Sequence, residues 1–180
     1  QPVIWRGPML HRALEQFLSD VYFGDLDYLF LDLPPGTGDM AISVSQLLPN
    51  SELLVITTPQ STATEVAERA GTIALQTDQK VIGVVENMSF LQLPDGSRME
   101  VFGSGGGEKL SESLTRQLGY EVNLLSQIPL EESVRVGSDQ GTPVVLSAPQ
   151  APAAVALQDL VEKLVQRPRG LAGRSLPMSF

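Results

Sequence analysis

Hydrophobic residues occur along the chain in two patterns, as unbroken runs and as stripes that repeat every three or four residues. Nearly unbroken apolar runs are typical of strands that are buried on both faces of a parallel sheet. They lie at residues 28–33, 53–57, 80–86 and, more weakly, 122–128. Apolar residues that recur every three or four positions predict helices instead. These stripes lie at residues 8–23, 62–74, 110–118 and 157–164.

The alternation of runs and stripes predicts the fold class. Strands that alternate with helices form βαβ units, in which the strands are parallel and helices cover both faces of the sheet. We therefore expect an α/β protein with a three-layer, mostly parallel sheet. Residues 90–107 interrupt this alternation, and the turn signal at 94–97 predicts a hairpin-like excursion. Residues 1–166 are expected to form one domain and 167–180 a mobile tail.

Composition narrows the classes of function. The chain has 180 residues, a net charge of −9, no cysteine and one histidine. The negative charge argues against nucleic acid or an anionic membrane as the main partner. The lack of cysteine excludes disulfides, thiolate catalysis and cysteine-ligated metal or cluster sites within these residues. No apolar run is long enough to cross a bilayer, so we expect a cytoplasmic protein without a membrane partner.

The segment DLPPGTGD at residues 32–39 is the strongest candidate for chemistry. It ends a predicted parallel strand, and ligands of open parallel sheets bind at the carboxyl ends of the strands. Asp32 at such an end suits a hydrated Mg²⁺ beside nucleotide phosphates. Gly36 lets a backbone amide approach an anion such as a γ-phosphate, and Thr37 adds a hydroxyl donor. The alternative is an aspartate that caps a Gly/Pro-rich turn before a helix beginning near Asp39.

The same segment resembles switch II of the Mrp/Nbp35 ATPases, which are relatives of MinD. Other motifs of that family match in the same order. They are PVIWRGPM at 2–9, TTPQ at 57–60, VENMS at 85–89 and FGSGGG at 102–107. The resemblance covers about residues 2–165 and implies a deviant P-loop NTPase fold like that of MinD. It also implies a homodimeric ATPase that uses ATP and Mg²⁺ and carries iron–sulfur clusters to apoproteins.

The resemblance implies roles for particular residues. Asp32 matches the residue that helps to hold Mg²⁺ through water, and Gly36 matches the γ-phosphate contact, with Thr37 beside it. Asn87 matches the asparagine whose amide reads the adenine edge, and Pro129 matches the loop that packs on the base. Outside the family context, Asn87 is equally a turn former after a strand, and Pro129 part of a strand-to-helix turn.

The phosphate loop of the family is not found in this sequence. The nearest stretch to Gly-x-x-x-x-Gly-Lys-[Ser/Thr] is 103–110, where Glu108 replaces the second glycine and Leu110 replaces the hydroxyl residue. We interpret that stretch as the flexible start of a helix. In the family the loop lies upstream, and its strand lies between those matching 28–33 and 53–57. We therefore expect the N-terminal part of the fold to be missing, and the chain alone to be unstable and inactive as an ATPase.

The cluster-binding Cys-x-x-Cys of the family is absent as well. Its positions match Leu93 and Gly96, which do not ligate iron, so a bound cluster is doubtful and no residue is assigned as its ligand. Two other hypotheses stay open. One is a MinD/ParA-like positioning ATPase, which is disfavoured because no Lys/Arg-rich amphipathic C-terminal helix is evident. The other is a non-catalytic dimerisation or interaction module.

Overall fold

The structure, a computed structural model, describes residues 7–33, 39–60 and 63–167. The helices within them are α1 (Gly7–Asp20), α2 (Asp39–Leu47), α3 (Ala63–Thr77), α4 (Gly106–Leu118), α5 (Glu132–Asp139), α6 (Val144–Ser147) and α7 (Pro152–Val165). The strands within them are β1 (Glu52–Thr57), β2 (Lys80–Gln92), β3 (Arg98–Met99) and β4 (Leu124–Leu130). None of these helices is both long and apolar enough to cross a membrane.

The strand β2 is the centre of the sheet. It pairs in parallel with β1 on one side and with β4 on the other, and β3 runs antiparallel to its end. The register pairs Thr57 of β1 with Glu86, and Asn87 with Ile128 of β4. The carboxyl ends of the three parallel strands therefore meet at one edge of the sheet, where the site residues on them lie close together.

Two buried clusters lie on opposite faces of this sheet. Adjacent residues of a strand point to opposite faces, and Val84 accordingly belongs to one cluster while Val85 belongs to the other. The Val84 cluster packs under α3 and α4 and also contains Val55, Ala74, Val81, Leu110, Leu114 and Val122. The Val85 cluster packs under α7 and also contains Ile128, Ala153 and Leu160. Helices on both faces confirm the predicted three-layer α/β architecture.

Most predicted elements are confirmed, with shifted ends. The runs at 53–57, 80–86 and 122–128 are β1, β2 and β4, although β2 continues to Gln92. The helical stripes are α1, α3, α4 and α7. The helix α4 ends as expected, since the Gly119 N–H donates to Thr115 O with φ of 75° at Gly119. The predicted cap at Thr62 and most of the predicted tail, residues 168–180, lie outside the described residues.

The excursion within residues 90–107 is a hairpin between β2 and β3. The Leu93 N–H donates to Ser97 O and the Gly96 N–H donates to Leu93 O, both at 2.9 Å. Gly96 has a φ of 84°, a left-handed conformation that glycine adopts without strain. The side chain of Asp95 closes the turn by accepting from the Ser97 hydroxyl at 2.6 Å. The turn signal at 94–97 therefore predicted this feature correctly.

The prediction of a strand at residues 28–33 is wrong. This segment has no regular secondary structure, and the ring of Phe30 is 72% exposed. An apolar run forms a strand only where a neighbouring strand takes its backbone hydrogen bonds. Among the described residues, no strand borders the segment, and the outer edge of β1 also has no partner. The run therefore has the apolar residues of a buried strand, but among the described residues it lacks a neighbouring strand to pair with.

Candidate functional site

The carboxyl edge of the sheet carries the residues that follow β1, the parallel part of β2, and β4. Asn87 lies there on β2, and Pro129 lies beside it on β4, one residue after its register partner Ile128. Ligands of open α/β sheets bind outside this edge. The structure thus brings together the two residues that the sequence suggested for a nucleotide base.

Asn87 opens a tight irregularity in β2. Its Oδ1 accepts the Met88 N–H at 2.9 Å, and Met88 has a φ of 56°, in the left-handed region. The Ser89 hydroxyl donates to Glu86 O at 2.9 Å and closes the irregularity from the other side. The Asn87 side chain is exposed, and its Nδ2 group has no partner among the described residues. Asn87 is therefore both the turn former of the alternative interpretation and a donor that faces solvent.

A shallow cavity of about 260 Å³ lies next to this edge. Its lining includes apolar side chains of Leu91, Pro129 and Leu130, together with the carboxylate of Glu131. A planar apolar ring packs well on such a surface, since apolar lining with a few polar groups is the usual composition of small-molecule sites. The cavity belongs to the same edge as Asn87.

The start of α4 is closed by a buried carboxylate. Glu86 is 1% exposed, and its Oε2 accepts the Gly107 N–H at 2.6 Å. Its Oε1 accepts from Gln127 Nε2 at 3.0 Å. A carboxylate suits a helix N-terminus because the first amides of a helix lack partners and carry partial positive charge.

The glycines of the 103–110 stretch are needed for packing. A Cβ on Gly106 would lie 2.5 Å from Thr58 O, which is backbone at the end of β1. A Cβ on Gly107 would lie 2.9 Å from Leu124 Cδ1 and 3.0 Å from Glu86 Cβ. The stretch does begin a helix, as expected, but its glycines allow that helix to approach β1 and β2 closely.

The start of α7 is closed in the same way. Glu131 Oε2 accepts the Ala153 N–H at 2.9 Å, while its Oε1 accepts from the Ser133 hydroxyl at 2.5 Å. Glu131 is also the residue that directly precedes α5. The N-termini of α4 and α7 therefore already hold carboxylates, so neither is an open site for a phosphate.

The predicted phosphate segment is described only at its borders. Asp32 is exposed near the end of the described range 7–33, and α2 begins at Asp39. Gly36 and Thr37 lie outside the described residues. The Asp32 carboxylate is a hard oxygen ligand of the type that Mg²⁺ prefers.

Sequence reasoning missed the hydrogen bonds that Glu86 accepts from Gly107 and Gln127, and the separate ones that Glu131 accepts from Ala153 and Ser133. A signal was present for Glu86, since it is a charged residue at the end of an otherwise apolar run, and burial of a carboxylate is costly unless donors surround it. Its donors, however, lie 21 and 41 residues away in the chain, and no local pattern identifies them.

An iron–sulfur cluster does not fit the residues present. The 180 residues contain no cysteine. The positions that match the family's cysteines, Leu93 and Gly96, are part of the closed hairpin turn. Among residues 7–33, 39–60 and 63–167, no group of three or more His, Cys, Asp or Glu side chains is arranged to hold a metal ion.

Comparison with known proteins identifies the family. The family model for ParA-type proteins described as NUBPL iron-transfer P-loop NTPase matches residues 1–165. The iron-sulfur cluster carrier protein of Mycobacterium leprae is 62% identical over 175 residues, which are 97% of this chain and 46% of that protein. The chain therefore spans about half the length of this relative.

Solved structures agree with this result. A nucleotide-binding protein of Archaeoglobus fulgidus, in complex with ADP, matches with a TM-score of 0.61 and 36% identity over 74% of this chain and 53% of that one. The septum site-determining protein MinD of Pyrococcus horikoshii, complexed with Mg-ADP, has a TM-score of 0.61 at 20% identity, over 96% of this chain and 63% of that one. The second match supports a MinD-like fold. The chain belongs to the NUBPL-type iron-transfer P-loop NTPases, the family of the iron–sulfur cluster carrier proteins.

Proposed function

We propose that this chain supplies the base-binding side and the switch segment of an ATP-binding, ATP-hydrolysing iron–sulfur cluster carrier. The observation that carries the proposal is the pairing of Asn87 with Ile128, which sets an exposed amide donor beside Pro129 and its apolar cavity. The Nδ2 group donates to a ring nitrogen of adenine, and Pro129 packs on the ring.

Phosphates bind at the segment that precedes α2. The N-termini of α4 and α7 are filled by Glu86 and Glu131, whereas α2 begins directly after a glycine-rich segment. There Gly36 contacts the γ-phosphate through its amide, Thr37 donates its hydroxyl, and Asp32 helps to hold Mg²⁺ through water. The ion supplies positive charge that offsets the charge of the phosphates.

Other parts of the protein complete the sheet. The outer edge of β1 is unpaired among the described residues. Ile56 on β1 and Phe30 in the segment that forms no strand are both exposed. The chain spans only 46% of its Mycobacterium leprae relative. We infer that the remaining part contributes the lysine-containing phosphate loop and a strand at this edge.

Cluster carriage needs ligands from outside these residues. The sequence has no cysteine, so the protein holds a cluster only through ligands supplied elsewhere in its full length. The partners in this proposal are a second copy of the protein and apoproteins that receive the cluster. The chemistry of this chain is then the nucleotide switch, in the cytoplasm, that accompanies transfer.

The proposal is tested by calorimetric titration of the full-length protein, the product of the complete reading frame, with ADP and GDP in the presence of Mg²⁺. Asn87→Ala should weaken ADP binding about tenfold, the effect of losing one hydrogen bond, and should reduce the preference for adenine. The control is Asn123→Ala, an exposed asparagine just before β4 at the opposite end of the sheet. Equal ADP affinity in wild type and Asn87→Ala would remove Asn87 from the site, and no ADP binding by wild type would end the proposal.

A further inference from the structure

The carboxylate of Glu86 makes contacts that no nucleotide role requires. It is 1% exposed, and no lysine, arginine or histidine of the described residues forms an ion pair with it. Its oxygens are instead satisfied by two hydrogen bonds, from Gly107 N–H and Gln127 Nε2. A buried carboxylate without a cation is rare enough that its position calls for a reason beyond packing.

These two bonds join three elements. Glu86 lies on β2, Gln127 on β4 and Gly107 at the start of α4. Glu86 and Gln127 are register partners, so their side chains point to the same face of the sheet and meet there. The bond between them is therefore a cross-strand link, and the bond to Gly107 fixes that link against the helix.

The cross-strand link lies directly before the proposed base site. Asn87 follows Glu86, and Pro129 follows Gln127 by two residues. The backbone of Glu86 is held as well, because Ser89 Oγ donates to its carbonyl oxygen. The spacing between Asn87 and Pro129 thus depends on one side-chain pair, at a point where the β2–β4 register becomes irregular after Asn87.

We propose that Glu86 is a positioning residue for adenine recognition, which sets the distance between Asn87 and Pro129 through Gln127 and Gly107. This inference rests on the proposed function, because it presumes that the base binds between Asn87 and Pro129. Glu86 itself does not touch the nucleotide. Its effect is on the affinity and selectivity for the base, while the phosphates are held by other parts of the protein.

The variant Glu86→Gln keeps the bond to Gly107 and disturbs the bond to Gln127. Its oxygen still accepts the Gly107 N–H, but its amide group then faces Gln127 Nε2, which also donates to Glu108 Oε1 at 3.2 Å. Two donors therefore oppose each other unless the Gln127 amide turns over, which breaks its bond to Glu108. The triple variant Glu86→Gln, Gln127→Glu and Glu108→Gln restores a donor and an acceptor at both contacts without placing two carboxylates together. Glu112→Gln is the matched control, because Glu112 is an exposed glutamate on α4, the helix whose start Glu86 caps.

The test is steady-state ATP and GTP hydrolysis by the full-length protein, together with its unfolding temperature. Glu86→Gln should raise the KM for ATP about tenfold and lower the ATP-over-GTP preference, with kcat within about twofold of wild type. The triple variant should recover most of the loss, and Glu112→Gln should match wild type.

The outcomes separate this inference from the proposed function. Unchanged KM and base preference in Glu86→Gln overturn the positioning role while the proposed function stands. If Glu86→Gln lowers kcat and the unfolding temperature together with the affinity for ATP, and the triple variant does not rescue them, Glu86 is only a structural cap and the positioning role is overturned. A wild-type protein that does not bind adenine nucleotides overturns both.

Discussion

At the scale of single residues, short polar side chains fix the turns near the end of β2. Asn87 and Ser89 hold the irregularity around Met88, which adopts a positive φ. Asp95 does the same for the hairpin, since its Oδ1 accepts from both the hydroxyl and the backbone N–H of Ser97. Such bonds between nearby residues are what make Asn, Asp and Ser frequent in turns.

The hairpin turn should respond to acid. The hydrogen bonds from the Ser97 hydroxyl and then the Ser97 N–H hold the pKa of Asp95 below its ordinary value. Because the folded pKa is lowered, the turn's stabilisation is complete above the ordinary pKa and is lost as pH falls through the lowered one. We expect the Ser97 amide resonance to shift with a midpoint below the ordinary pKa of an aspartate and to be insensitive to pH in Asp95→Asn. A wild-type midpoint at the ordinary value would contradict this.

At the scale of elements, α7 is attached at both ends and along its length. Glu131 caps its start, Lys163 Nζ donates to Leu125 O on β4, and Arg167 forms a two-pronged ion pair with Glu52 at 2.7 and 3.1 Å. The bond from Lys163 occupies a carbonyl on β4, whose outer edge is unpaired among the described residues. The ion pair is partly exposed and contributes little on its own. Apolar burial must therefore hold most of this helix in place.

Neighbouring residues of α7 provide a test of that burial. Leu160 is 7% exposed in the cluster with Val85, whereas Val161 is 55% exposed. Leu160→Ala should lower the free energy of unfolding by about 2–5 kcal/mol, because it removes buried apolar contacts and leaves a cavity. Val161→Ala should change it by no more than about 0.5 kcal/mol. Chemical denaturation of the full-length protein measures both, and similar values for the two variants would refute a packing role for α7.

Local chemistry explains which features the sequence could predict. The stripe of α4 and its stop at Gly119, the hairpin turn at 94–97 and the run of β1 depend on neighbours in the chain, and all are confirmed. The run at 28–33 is largely apolar like β1, yet it forms no strand because a strand also needs a partner. The bonds of Glu86 depend on residues distant in sequence, so only its charge within an apolar run was visible beforehand.

At the scale of the whole molecule, large apolar side chains are exposed in two places that a paired sheet would cover. Several precede or belong to the segment at 28–33, namely Tyr22, Leu26, Leu29 and Phe30, and Ile56 lies on β1. Exposed apolar surface of this kind often marks a site that another segment or partner covers. We propose that the part of the protein outside these residues covers them, together with the edge of β1 that is unpaired among the described residues.

The last prediction concerns the 180-residue chain by itself. We expect no phosphate release from ATP above a no-protein control, because the lysine and amides of a phosphate loop are not in its sequence. We also expect no retained iron after anaerobic incubation with iron and sulfide, because it offers no thiolate. The full-length protein is the positive control for hydrolysis, and its Asp32→Asn variant should be slower, since it loses the carboxylate that we propose to help hold Mg²⁺. Hydrolysis by the isolated chain would mean that its own residues complete the site. The proposal that the phosphate loop comes from another part of the protein would then be incorrect.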